Sequence, residues 1–325
     1  LNALWVVVTI VVLGLITILV GGYLVGQMGE GSSMALRGGK VGVITVSGVI
    51  QDGGRGGLLL GPPGARAIME DLRRAGEDAE IKAVVLLINS PGGSPAASHA
   101  IYQEIQRLRK TKKVVACMTD IAASGGYYIS AAADKIVAQN STLTGSIGVI
   151  FGGLGYYGLM NKLGIVDQTQ TAGRYKDVGS PLRPMKDYEK ELVQGLLDSI
   201  YQQFIQAVAE GRQMPLAKVK PLAEGRIYTG EQAKKVGLVD ELGNFYDAVK
   251  LAGKLGGITG EPKVKYLGAP KGLWQELMAT ESLLGRHLKG SRGLLMDPTL
   301  VGPMLVVPWA YPTLSGEESG LPALR

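Results

Sequence analysis

Four short, nearly unbroken apolar runs constrain this chain most: VGVITV at Val41–Val46, AVVLLI at Ala83–Ile88, KVVACM at Lys113–Met118 and KIVA at Lys135–Ala138. None alternates apolar with polar, so none suits a sheet with one wet face. Strands of this kind are buried on both sides and belong to mostly parallel sheets covered by helices. The intervening stretches fit that scheme. A helix is predicted over Ala65–Ala75, and Ser94 followed by Pro95 has the N-cap and N1 chemistry to open another that runs to about Lys110. SGGYYISAAA from Ser124 reads as a third helix, and SIGVI at Ser146–Ile150 as a further strand. The fold class is therefore α/β, with no internal repeat of the unit.

Beyond this block, Tyr188, Leu192, Leu196, Ile200, Phe204 and Val208 recur every four residues, the stripe of one helix of about 25 residues that faces core or a subunit interface. Leu273–Leu288 has the pattern of an amphipathic helix. Leu300–Pro312 is apolar but broken by proline, which suits an extended arm and not a membrane span. At the other end, no charged side chain precedes Glu30, and Ala3–Val25 is apolar. About 23 residues at ~1.5 Å each cover a ~30 Å hydrocarbon core. A secretory signal has an apolar region of only ~7–15 residues behind a basic segment, so a retained anchor through residues 3–25 is the expectation. Charge does not fix its orientation, since Arg37 and Lys40 follow it and no Lys or Arg precedes it.

The chemistry available is narrow. One cysteine among 325 residues excludes an intrachain disulfide framework and a multi-cysteine zinc site. Two histidines, His99 and His287, leave little room for a histidine metal site or a Ser-His-Asp triad. The net charge of +6 (34 basic against 28 acidic) comes with no basic-aromatic stripe for nucleic acid. Neither phosphate-loop spacing nor a dinucleotide fingerprint occurs, so nucleotide binding is not expected.

What remains are three glycine turns beside buried strands: Ser90-Pro91-Gly92-Gly93, Ala123-Ser124-Gly125-Gly126 and Thr144-Gly145-Ser146. Such turns can aim backbone N–H groups together at an anion. Ser124 stands where a strand enters a helix, a good place for a nucleophile, though a lone Ser-Gly-Gly reads more readily as a structural turn or N-cap; Ser130 falls inside the helix. With histidine scarce, the base has to be another group. Lysine serves when burial brings its pKa down from ~10.4. Lys176, in TAGRYKD before Gly179-Ser180-Pro181, is one candidate, though by residue pattern a solvated surface lysine is the better reading.

Taken together, NSPGG at 89–93, AASGGYYIS at 122–130, TGSIGVI at 144–150, RYKDVGSP at 174–181 and GRIYTGEQAKKVGLVDELG at 225–243 resemble the signal peptide peptidase A family of membrane serine proteases, peptidase family S49, in its short single-copy form. The resemblance runs from about Lys40 to Gly257. It implies a ClpP/crotonase-like fold, with Ser124 as nucleophile, Lys176 as general base and Ser146 orienting the lysine. It also implies an oxyanion hole from the N–H groups of Gly93 and Gly125, and no metal or organic cofactor. The expected organisation is an anchor over 1–26, a glycine-rich juxtamembrane segment with the first strand over 27–64, the protease domain over 65–260 and a C-terminal arm over 261–325. The implied partners are signal peptides, the lipid around residues 3–25, and further copies in a ring whose neighbours share the Ser-Lys dyad. The implied location is a bacterial cell membrane, with the catalytic domain on its extracytoplasmic side. Two other functions share the scaffold: a crotonase-type acyl-CoA enzyme, and a non-catalytic membrane scaffold that binds peptide in the same groove.

Overall fold

The computed structural model describes residues 39–55 and 62–268. The apolar run at 3–25, the amphipathic segment with His287 and the apolar arm at 300–312 lie outside the described residues. Among the described residues, no helix is long and apolar enough to cross a membrane.

In chain order the main elements are β1 (Lys40–Ser47), α1 (Ala65–Glu77), β2 (Ile81–Ser90), α2 (Pro95–Leu108), β3 (Lys113–Ala123), α3 (Gly125–Ala131), β4 (Lys135–Ala138) and β5 (Leu143–Gly145). There follow α4 (Tyr157–Lys162), α5 (Asp187–Arg212), α6 (Leu216–Val219), β6 (Ile227–Thr229), α7 (Gly230–Lys235), β7 (Glu241–Leu242), α8 (Phe245–Leu255) and β8 (Lys263–Leu267). The strands form one sheet in the order β6-β5-β3-β2-β1-β8, with β4 between β3 and β7. Every pairing is parallel except β5 with β6. The sheet draws on Lys263–Leu267 from beyond Gly260, which runs beside β1.

The apolar runs are continuous because successive residues serve two cores. Val84, Leu86 and Ile88 of β2 pack with Ile68, Ile101 and Tyr127 on the side of α1, α2 and α3. Ala83 and Val85 face the other way, with Val115, Cys117 and Val137, onto Ala248, Val249 and Ala252 of α8. Both faces are dry, as the unbroken hydrophobicity requires. Cys117 is part of this packing; burial pushes its thiol up to about 12, which leaves it a small hydrophobe and not a nucleophile.

One strand decides where the chemistry goes. β3 is eleven residues long and changes partner midway: Val115–Met118 pair with β4, and Ile121–Ala123 pair with β5. The sheet thus divides along β3, and its upper half ends at Ser124. The strand expected at Ser146–Ile150 sits earlier, at Leu143–Gly145. Gly145 (φ 81°) and Ser146 (φ 49°) turn the backbone out of the strand, so the apolar letters after them do not extend it.

The long helix is present over Asp187–Arg212, but its stripe has two fates. Phe204 and Val208 are in the core, whereas Leu192 and Leu196 are exposed. The exposure belongs to a larger pattern. From Phe151 to Gln203 the chain forms an arm, and Leu154, Leu159, Leu163 and Val166 are all well exposed.

Candidate active site

All three glycine turns leave the carboxyl ends of neighbouring parallel strands, the end at which open α/β sheets place their ligands. Register brings them together. Ser90 pairs with Ala122 across β2 and β3, and Ala123 pairs with Gly145 across β3 and β5. The next residues, Ser124 and Ser146, therefore emerge side by side, tied by Ser124 N–H donating to the Gly145 carbonyl at 2.8 Å. Both line one cavity of about 450 Å³ with Gly148, Tyr201 and the carboxylate-bearing Asp198 and Glu224.

Ser124 has φ 51° and ψ −119°, outside the regions open to residues with a Cβ. A strained serine at a sharp strand-to-helix turn is the geometry that pushes a nucleophile out of the backbone's shelter. Relaxing that strain gives a direct measurement. Ser124→Gly, which fits the dihedrals freely, should be more stable than Ser124→Ala by about 1 kcal/mol in denaturant melts. Equal midpoints and slopes would show that the turn stores no strain.

Beside Ser124 is a pair of amides. Among the described residues, neither Gly93 N–H nor Gly125 N–H has an acceptor, whereas the N–H groups of Gly92, Ser94 and Ser124 each have one. Ile50 N–H donates to the Gly92 carbonyl at 2.8 Å, and Ser94 N–H donates to the Ile50 carbonyl at 2.7 Å. The strap 92–94 is thus pinned on Ile50, leaving Gly93 N–H free. Ser90 Oγ fixes its other end, donating to the Gly48 carbonyl at 2.6 Å and accepting Gly92 N–H at 3.1 Å. A Cβ added to Gly125 would lie 3.2 Å from Gly93 N, so the two glycines are in close approach. Two rigid, unengaged donors near a serine hydroxyl can stabilise an oxyanion without reorganising.

The same point reveals a residue that the pattern of the sequence did not single out. Ser98, in the first turn of α2, is fully buried, and its Oγ has no hydrogen-bond partner among the described residues. That Oγ would sit 2.5 Å from a Cβ on Gly125. Ser130, by contrast, donates to the Gly126 carbonyl within α3 at 2.7 Å and is structural. His99 is half-buried, 2.9 Å from Tyr128 Oη through Nδ1 and 3.0 Å from Gln103 through Nε2, and does not line the Ser124 cavity.

Lys176 is not brought to Ser124 within one chain. It lies in the arm, exposed, and the cavity lining contains no lysine, arginine or histidine. Its neighbours are held firmly. Arg174 stacks on the ring of Tyr188, 4.1 Å from the centroid, and Asp177 accepts from Arg183 Nε at 2.7 Å. The arm is also braced on itself, with Tyr156 N–H donating to the Pro181 carbonyl at 2.7 Å. Among the described residues there is no cluster of three or more His, Cys, Asp or Glu arranged to hold a metal.

A strained serine beside paired, unengaged amide donors on a parallel sheet suits a hydrolase, and comparison with known proteins agrees. The family model described as Peptidase family S49 matches residues 106–259, and that described as Clp protease matches residues 63–143. A protein of Enterococcus faecium named "Putative signal peptide peptidase SppA" is 39% identical over 256 residues, which cover 75% of this chain and 74% of that one. The chain belongs to peptidase family S49. "Putative protease MJ0651" of Methanocaldococcus jannaschii is 44% identical over 208 residues, 64% of this chain and 66% of its own length. "Serine protease SPPA, chloroplastic" of Arabidopsis thaliana is 39% identical over 212 residues, 63% of this chain but only 31% of that longer protein. The parallel sheet and its helices are accordingly of the Clp protease kind.

Proposed function

We propose that this chain is a membrane-bound serine endopeptidase that uses a Ser-Lys dyad to cut signal peptides and other apolar peptides. The observation that carries it is the strained Ser124, beside the unengaged amides of Gly93 and Gly125, in a cavity lined by no lysine, arginine or histidine. The lysine of such a dyad would come from outside that cavity, and Lys176 stands on an exposed apolar arm suited to reaching a neighbouring copy. Covering that arm would remove lysine from water, the change that makes its amine a base.

In this mechanism neutral Lys176 of one copy accepts the Ser124 Oγ proton of its neighbour as Oγ attacks the peptide carbonyl. Gly93 and Gly125 N–H donate to the oxyanion. The C–N bond then breaks, and the lysine ammonium returns its proton to the leaving amine. Water, deprotonated by the same lysine, cleaves the acyl-serine. Ser146, which lines the same cavity as Ser124, would hold the arriving amine by its hydroxyl. The apolar run at residues 3–25 would keep the site near its substrates.

Incubating the full chain in detergent with a mixture of signal peptides, then reading the products by mass spectrometry, tests this directly. Cuts within the apolar cores are expected, together with labelling of Ser124 by a fluorophosphonate, and both are lost in Ser124→Ala. Absence of label with intact peptides would remove the protease reading and leave a peptide-binding scaffold or an acyl-CoA enzyme.

A further inference from the structure

From Phe151 to Gln203 one residue alone is buried, and it is a carboxylate: Glu189, with no exposed surface. Nothing apolar in the arm is covered as completely, so the arm's shape depends on how this charge is satisfied. Its partner is Arg183, which directs all its donors inward. Nη1 and Nη2 donate to the two Glu189 oxygens at 2.8 and 2.6 Å, and Nε donates to Asp177 Oδ2 at 2.7 Å. The same Nη1 and Nη2 also donate to the carbonyls of Pro184 at 3.0 Å and Asp177 at 3.4 Å. Glu189 Oε2 additionally accepts the N–H of Lys186, closing the first turn of α5. One guanidinium fork thus joins a helix start to the residue next to Lys176.

A second fastening lies on the other side of the lysine. Arg174 sits over the Tyr188 ring, and Tyr188 Oη donates to the Arg174 carbonyl at 3.4 Å. Lys176 is therefore flanked at 174 and at 177 by ties to consecutive residues of α5, 188 and 189, while its own side chain stays exposed.

We infer that Arg183, with Glu189, is a positioning residue that fixes the loop presenting Lys176 and occupies the Asp177 carboxylate that would otherwise pair with the lysine ammonium. This rests on the reading of Lys176 as the general base. A base carried on a loop that must enter another copy's cavity needs its geometry fixed beforehand. The fork also holds Glu189 down to about 2 and Asp177 below the usual carboxylate range, so both remain charged wherever a lysine base works.

Three full-length variants test it: Arg183→Gln, Arg183→Lys and the near-isosteric Glu189→Gln. Each is assayed for peptide cleavage after its oligomer size and thermal midpoint are matched to wild type. The expected result is a kcat lowered by about 10- to 100-fold with KM within about twofold, since substrate is not touched. Arg183→Lys should recover little, because one ammonium does not span both carboxylates. Mixing supplies a readout that a general loss of folding would not give. Arg183→Gln mixed with Ser124→Ala should regain activity, because each copy lacks a different half; mixed with Lys176→Ala it should not. A wild-type kcat in Arg183→Gln and Glu189→Gln, or a loss entirely in KM, overturns the clamp while leaving the lysine base intact. Wild-type activity in Lys176→Ala overturns the base and the clamp with it. If Ser124→Ala and Lys176→Ala fail to complement each other, the site lies within one copy, and the kcat–KM split alone decides the clamp.

Discussion

Ser124→Ala and Lys176→Ala, each inactive alone, should together regain about one quarter of wild-type activity when unfolded and reassembled in equal amounts. Each single variant removes a member of the proposed dyad, whose two groups act as a unit, so a fall of roughly 10⁴-fold or more is expected from either. The quarter follows from the geometry. Lys176 is exposed on the arm, and the Ser124 cavity is lined by no lysine, so in the proposed shared dyad a working site needs an intact serine from one copy and an intact lysine from the next. Random assortment supplies the right serine half the time and the right lysine half the time, about one site in four for any closed ring. A dyad completed within one chain would give no competent site in the mixture. Titrating the ratio sharpens the test, because activity should peak at equal amounts and fall symmetrically. A mixture as inactive as its components, in oligomers shown to contain both, would end the shared site; active Lys176→Ala would end the lysine mechanism.

Much of the frame was legible because burial on two faces leaves a simple mark. β2 and β3 read as unbroken apolar runs for the reason found in the structure: alternate residues such as Val84 and Val85 serve different cores. The misplaced strand at Ser146–Ile150 shows where that mark fails. Hydrophobicity does not register a turn, and the positive φ of Gly145 and Ser146 takes the backbone out of the strand before the apolar residues begin. Likewise Leu192 and Leu196 continue a flawless four-residue spacing, yet only the half of α5 beyond them meets the core. Spacing reports which residues share a face and not what covers it.

The site divides in the same way. Glycine turns at strand ends are visible in one dimension, but the adjacency of Ser124 and Ser146 comes from the Ala123–Gly145 register, a long-range pairing no local pattern encodes. Lys176 was indistinguishable from a solvated lysine by its own surroundings, and only the resemblance of RYKDVGSP raised it. The Arg183 fork went unread although its parts recur at six-residue spacing, Asp177, Arg183 and Glu189, with Glu189 at the third position of a helix. Carboxylate, arginine and carboxylate flanking a helix start, next to a proposed base, would have been the signal.

The two glycines of the proposed oxyanion hole should respond differently to a single methyl group. Removing or displacing one donor to a developing oxyanion costs about 10²- to 10³-fold in kcat, and both Gly93→Ala and Gly125→Ala should reach that range. For Gly93 the added Cβ would collide with the carbonyl of Ile50, a backbone group that the strap 92–94 itself holds through two hydrogen bonds. Nothing there can yield without moving Gly93 N–H, so no neighbouring side-chain change should restore activity. For Gly125 the Cβ meets Ser98 Oγ at 2.5 Å, and the backbone comes no closer than 3.2 Å. That hydroxyl is buried without a partner, so deleting it leaves no orphaned group and costs little stability. Ser98→Ala alone should therefore keep near-wild-type kcat, and Ser98→Ala with Gly125→Ala should recover at least tenfold over Gly125→Ala. The same Ser98→Ala should give Gly93→Ala nothing, a non-additivity confined to residues in contact. Equal rescue of both glycine variants, or of neither, would mean that the gap between Gly125 and α2 is not what sets the oxyanion donors.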